Sequence, residues 1–153
     1  MTIQKKTKKY IKSRIKDCFV CKWKTDLYDS NKYPILRLYK TFHNEYSMSN
    51  HLIQVKNPAF RHAITKIRCS SHLLNIERGR HSKPKIPIEQ RKCYFCNSLE
   101  DEIHFVIDCM LYKNDRCILF DNITKLFPDF IYLDSTEKFE YLFKSNDPNV
   151  LNW

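Results

Sequence analysis

Glycine is almost missing from this chain: Gly79 stands alone among 153 residues. Tight β-hairpins rely on positive φ, which glycine adopts at least cost, so a hairpin-rich architecture is excluded. Helices joined by Pro, Asn, Asp and Ser loops remain, and the expected fold is mainly α with little or no sheet. No run of about 18 apolar residues occurs, so no membrane-spanning helix is expected. The start, Met1-Thr2-Ile3-Gln4-Lys5-Lys6, leads into charge and not into an apolar signal core. A phosphate-cradling glycine loop and a nucleophile–base pair are also lacking, and Asp26 and Asp29 have no second partner for a two-metal site. A non-catalytic protein is therefore expected.

What is present is cysteine, aromatic surface and positive charge. Seven cysteines without a secretory signal point to a reducing compartment, cytoplasmic or nuclear, where thiols are free to bind metal. Apolar residues make up 42% and aromatics 14%, which is enough for a core and argues against a disordered tail. The length suits one ordinary domain or two small lobes around a metal. The net charge of +10 is divided unevenly. Residues 1–60 carry +9, residues 61–92 carry +7 and residues 93–153 carry −6. A cationic block of this kind attracts polyanions, nucleic acid above all.

Along the chain, Ile11, Ile15, Phe19, Trp23 and Leu27 recur every four residues and predict a basic N-terminal helix within residues 1–34. Cys18 and Cys21 lie inside it. A redox pair would sit at a helix start after a strand, so core packing is the expectation for both. Residues 35–88 form a helical region with a basic linker. Its segment Ile35 to Phe42 suits either a strand or a short helix, and Ser47 to Val55 reads as a short helix. Asn57-Pro58 marks a helix start with Phe60, Ala63, Ile64 and Ile67 inward and Arg61, Lys66 and Arg68 elsewhere. His62 and His72 read as ordinary histidines. Gly79, between two arginines, predicts either positive φ or close approach by a partner. Residues 82–87 should be extended, because each proline biases its predecessor away from helix.

Residues 89–118 hold the densest chemistry. Cys93, Cys96, His104 and Cys109 read Cys-x2-Cys-x7-His-x4-Cys, within a 17-residue window. Two cysteines two apart grip one ion from a tight turn, and Asn97 tolerates the left-handed backbone such a turn needs. His104 and Cys109 complete a tetrahedral set suited to Zn2+. Five residues apart, they cannot share one face of an unbroken α-helix, so the backbone should bend or end near Cys109. Cys117 is the rival fourth ligand, at a less suitable distance. The alternative, four unrelated buried side chains, gives no reason for the clustering.

Residues 119–153 form a C-terminal helical segment. A helix is expected from Leu111 to about Leu126. Asp134 with Glu137 makes a capping-box-like start for Ser135 to Lys144, with Phe139, Leu142 and Phe143 inward. Asp147-Pro148 starts a last helix that stops at Trp153, so the chain reads as truncated. Leu151 and Trp153 should then leave an apolar patch that permits self-association.

The Cys93 to Cys109 pattern resembles the zinc-binding region downstream of the polymerase in non-LTR retrotransposon reverse transcriptases. Arg68-Cys69-Ser70-Ser71-His72, Ile76-Glu77-Arg78-Gly79-Arg80 and Ile88-Glu89-Gln90-Arg91-Lys92-Cys93 are similar to that region. So are Glu100-Asp101-Glu102-Ile103-His104-Phe105 and Phe139-Glu140-Tyr141-Leu142-Phe143. The likeness covers residues 35–153 and departs at Met110, where such sequences often carry proline. It implies a C-terminal segment that handles nucleic acid beside a polymerase whose paired aspartates this chain lacks. Backbone contacts to RNA or DNA are expected from Arg78, Arg80, Lys83, Lys85, Arg91 and Lys92, with Tyr94 and Phe95 free to stack on bases. Packing of those two rings against a helix is the alternative. The competing functions are a structural or protein-interaction zinc module, favoured by the acidic C-terminal lobe, and a decayed element fragment without selected role.

Overall fold

The computed structural model describes residues 3–29, 31–43, 45–145 and 147–151. Among them helices and turns dominate, and the sole β pairing is an isolated bridge between Lys92 and Leu99. The mainly α expectation holds. None of these helices is long and apolar enough to cross a membrane.

Helix α1 spans Ile3–Tyr28, about 39 Å at 1.5 Å per residue. It ends where Asp29 Oδ1 accepts the backbone N–H groups of Asn31 and Lys32, a local turn that competes with helix. Of the predicted apolar stripe, Leu27 is buried, and Trp23 meets His43 and Tyr46 edge to face. Ile11, Ile15 and Phe19 are exposed. Cys18 and Cys21, expected in the core, are exposed as well. A four-residue repeat marks the face that a neighbour would cover, but it does not supply the neighbour.

The ambiguous segment 35–42 resolves as a 3-10 turn at Pro34–Leu36 and one helical turn, α2, at Tyr39–Phe42. Helix α3 is short, Asn50–Gln54, and α4 runs Pro58–Arg68. The start of α4 follows the sequence: Asn57 Oδ1 accepts the Ala59 N–H at 2.9 Å, and Pro58 stands where no N–H is needed. Helix α5 covers Asn75–His81, α6 Lys113–Leu126, α7 Ser135–Lys144 and α8 Pro148–Leu151. A full capping box opens α7, with Asp134 Oδ1 accepting from Glu137 N–H and Glu137 Oε2 accepting from Asp134 N–H. Asp147 Oδ1 accepts the Asn149 N–H at the start of α8. The Leu151 side chain and Trp153, expected to form an apolar end patch, lie outside the described residues.

Two apolar clusters join these elements. Ile107, Phe139 and Phe143 are packed by Phe42, Ile64 and Ile67, so α7 is clamped between α2, α4 and the segment that carries Ile107. Ile123, Phe130 and Val150 form the second, between α6, α8 and a 3-10 turn at Pro128–Tyr132. The buried face of α4 differs from the sequence expectation. Phe60 and Ala63 point outward, while Arg68 is buried. Its guanidinium donates to the carbonyls of Phe143 (2.7 Å) and Phe42 (3.3 Å) and lies 5.3 Å from the Phe42 ring centroid. A cation is stable there because it satisfies a last-turn carbonyl of α7, the negative end of that helix dipole. Arg68 is thereby removed from the basic surface.

Candidate metal centre

The Cys93–Cys96 turn is built by the backbone. Cys93 N–H donates to Ser98 O at 2.7 Å, Asn97 N–H donates to Cys93 O at 2.9 Å, and Asn97 takes φ 56°. The left-handed residue is therefore the asparagine, as its type predicts. On the other side, Asp101 Oδ1 accepts the His104 N–H at 2.8 Å and starts a helical turn. That turn is π-helical over His104–Asp108 and closes with Cys109 N–H donating to His104 O at 2.7 Å. The i→i+5 bond brings Cys109 back over His104, which an α-helix would not do. Cys109 then leaves helical conformation at φ −59°, ψ 124°, the bend that the ligand spacing requires.

These two pieces bring together one ligand atom each from Cys93, Cys96, His104 and Cys109, all within 4.8 Å of one another. The four are positioned to hold one metal ion. Cys109 Sγ lies 3.8 Å from the sulfurs of both Cys93 and Cys96, too far for a disulfide. Cys93, His104 and Cys109 are buried, and His104 Nε2 is a buried nitrogen without a hydrogen-bond partner. An orphaned imidazole nitrogen beside three thiols is the donor set of a metal site. Met110 N–H donates to Cys96 Sγ at 3.3 Å, a contact that proline at this position could not make. Cys117 is exposed and outside the cluster.

The sulfurs interact strongly. Burial raises the Cys93 thiol, but the Cys96 N–H, the His104 ring and the Phe95 N–H outweigh it and hold the group at about 7. Cys109 is pushed up to about 11, by burial first and then by the neighbouring sulfurs of Cys93 and Cys96. Three thiolates this close repel one another, and a dication is what removes that repulsion.

The loop is fastened to α5 by a polar network. Glu100 Oε2 accepts the Asn75 N–H at 2.8 Å, and Asn75 Nδ2 donates to Lys92 O at 2.7 Å. Beside it, Glu102 is fully buried. Its carboxylate takes both oxygens to Arg37 at 2.6 Å and also meets Ser70 Oγ at 3.0 Å and His72 Nε2 at 2.7 Å. Burial opposes the charge, yet His72 and Arg37 hold the carboxyl at about 2. Sequence reasoning missed this group. Glu102 sits in an acidic run between the ligands, and nothing local distinguishes it from Glu100 or Asp101.

The expected nucleic-acid contacts fall into two sets. Arg78, Lys83, Lys85 and Lys92 are exposed, and so are Tyr94 (93%) and Phe95 (63%), whose rings meet edge to face. Arg80 pairs with Glu77 within α5, and Arg91 donates to the carbonyls of Ile76 (2.8 Å) and Ile86 (2.9 Å). Those two cations are occupied inside the fold. Gly79 explains why Arg91 lies there. It is helical and has no positive φ; an added Cβ would lie 2.7 Å from Cγ, Cδ and Nε of Arg91. The close approach comes from the chain itself.

Gly79→Ala is accordingly expected to destabilise the protein by about 2–5 kcal/mol. Alanine gains about 1 kcal/mol in helix propensity, but displacing Arg91 forfeits two hydrogen bonds from a charged donor, each worth about 1.5–3 kcal/mol. Denaturant midpoints of the two proteins check this, and a more stable alanine variant would show that Arg91 does not need the space. Comparison with family models, with curated proteins and with solved structures finds no match to this chain.

Proposed function

We propose that this chain is a non-catalytic zinc module that binds the backbone of RNA or DNA, as the C-terminal segment of a non-LTR retrotransposon reverse transcriptase-like protein. The observation that carries the zinc reading is the donor geometry. Zn–S bonds of about 2.3 Å in a tetrahedron put sulfurs about 3.8 Å apart. Both sulfur pairs named above have that separation. Zinc would be held by Cys93, Cys96, His104 and Cys109, and its chemistry there is structural: with four protein ligands, no open position is left for a substrate.

The nucleic-acid reading rests on what surrounds that loop. Arg78 on α5, Lys83 and Lys85 on the linker and Lys92 beside the first ligand are exposed cations, and Tyr94 and Phe95, two and three residues after Lys92, are exposed as well. Rings left in water next to lysines suit stacking on unpaired bases better than internal packing. The retrotransposon reading rests on the sequence likeness alone.

The test is binding of a labelled single strand by the zinc-loaded protein over a range of salt. Engaging those four cations is expected to give a slope of about −3 to −4 in log affinity against log salt. Arg78→Glu and Lys83→Glu should each reduce the slope by about 0.7–0.9 without releasing zinc. Tyr94→Ala should weaken binding by about 1–3 kcal/mol. A zinc-loaded protein that binds no RNA or DNA at low salt would leave the structural-module reading in its place.

A further inference from the structure

The second half of α1 and the turns after it form an open pocket of about 400 Å³, in the size range of small-ligand pockets. Four aromatic residues line it: Phe19, Trp23, Tyr33 and Tyr46, with Lys22 and Asp26 at its wall. Trp23 is fixed by two edge-to-face contacts, with Tyr46 at 5.7 Å and with His43 at 5.9 Å between ring centroids. Phe19, Tyr33 and Tyr46 keep much of their surface in water. None of these rings contributes to the two buried apolar clusters or to the metal centre.

The charges around the cavity decide what it fits. Asp26 Oδ1 is taken by Lys32 Nζ at 2.6 Å, and the same ammonium lies 5.3 Å from the Tyr33 ring centroid. A cationic guest would therefore meet Lys22 and find the only lining carboxylate already neutralised by Lys32. An apolar protein segment would gain nothing from the lysines. A nucleobase gains from both features, because the rings stack on its faces and the Lys22 ammonium attracts a flanking phosphate. We propose that this cavity is a base-stacking site for single-stranded nucleic acid, a contact separate from the Arg78 to Lys92 segment. The proposal rests on the nucleic-acid reading above.

Trp23 is its own reporter, since the only other tryptophan is Trp153. Zinc-loaded protein carrying Trp153→Phe would be titrated with a short oligothymidylate and with an abasic oligodeoxyribose phosphate of equal length. Both strands are expected to bind with a salt-dependent affinity, and only the one with bases should quench Trp23. Phe19→Ala and Tyr33→Ala, both at exposed positions, should each weaken oligothymidylate binding by about 5- to 150-fold and leave the abasic strand within about twofold. Binding of both strands without quenching, and with unchanged affinity in the alanine variants, overturns the cavity assignment while the backbone reading stands. If neither strand binds, both readings fall together. Quenching by a trimethyllysine peptide in place of the oligonucleotide would make the cavity a methylammonium cage and overturn the proposal.

Discussion

Replacing Cys93 by serine, or His104 by alanine, is expected to abolish stoichiometric zinc binding and to unfold the segment from Lys92 to about Tyr112. The size of the effect follows from what the four ligands join, the Cys93–Cys96 turn and the His104–Asp108 turn. The segment's regular backbone is one bridge, Lys92 with Leu99, a π-helical turn and a 3-10 turn at Met110–Tyr112, and Cys93 and Cys109 are both buried. Apparent binding energies of structural zinc sites are about 10–16 kcal/mol near neutral pH, comparable to an ordinary domain's whole stability. Cys18→Ser and Cys117→Ser, at exposed positions outside the cluster, should keep the metal. Metal analysis of the purified variants decides the matter, and full zinc content in the Cys93 or His104 variant would refute the ligand assignment. Lowering the pH should release the ion as well, because protons compete for the thiolates and the imidazole.

The second large effect is expected at Glu102, which binds no metal. Glu102→Ala should cost about 3 kcal/mol while zinc stays bound. Breaking a buried ion pair costs about 3–5 kcal/mol. The low end applies because the Arg37 side chain is 39% exposed and regains water when its partner is lost. The direction of the pH dependence follows from a carboxyl held at about 2 in the fold against an ordinary 4.5. Its contribution is complete above about 4.5 and disappears as the pH falls toward 2. Urea unfolding of the zinc-loaded proteins should therefore show a difference at neutral pH that narrows on acidification. Equal midpoints at neutral pH would mean that the Arg37–Glu102–His72 network adds nothing to stability.

The elements whose signals are local were legible in the sequence. Asn57-Pro58, Asp134 with Glu137 and Asp147-Pro148 each start a helix because a side chain satisfies nearby backbone N–H groups, and such a bond needs no distant partner. The metal ligands were legible for a similar reason: the Cys-x2-Cys spacing is itself a turn, and the count from His104 to Cys109 rules out an unbroken α-helix. What escaped depends on distant segments. The stripe on α1 carries a helical period whether or not anything packs on it, so Ile11 and Phe19 read as core and stand exposed. Arg68 reads as surface and is buried, because its carbonyl partners lie 26 and 75 residues away. Gly79 signalled a close approach correctly, but the approaching group, Arg91, belongs to the same chain.

The π-helical turn also governs which changes of chain length this segment can absorb. It holds one residue more than an α-turn between His104 and Cys109. An α-helix lays residues i and i+4 on one face, so deleting a residue from the stretch 105–108 would still keep the two ligands together. The core would not accept the deletion. Ile107, inside that stretch, packs with Phe139 and Phe143, and a deletion there removes it or shifts its side chain out of that register. The ligand spacing alone would suit either count, and the packing around Ile107 selects the longer one.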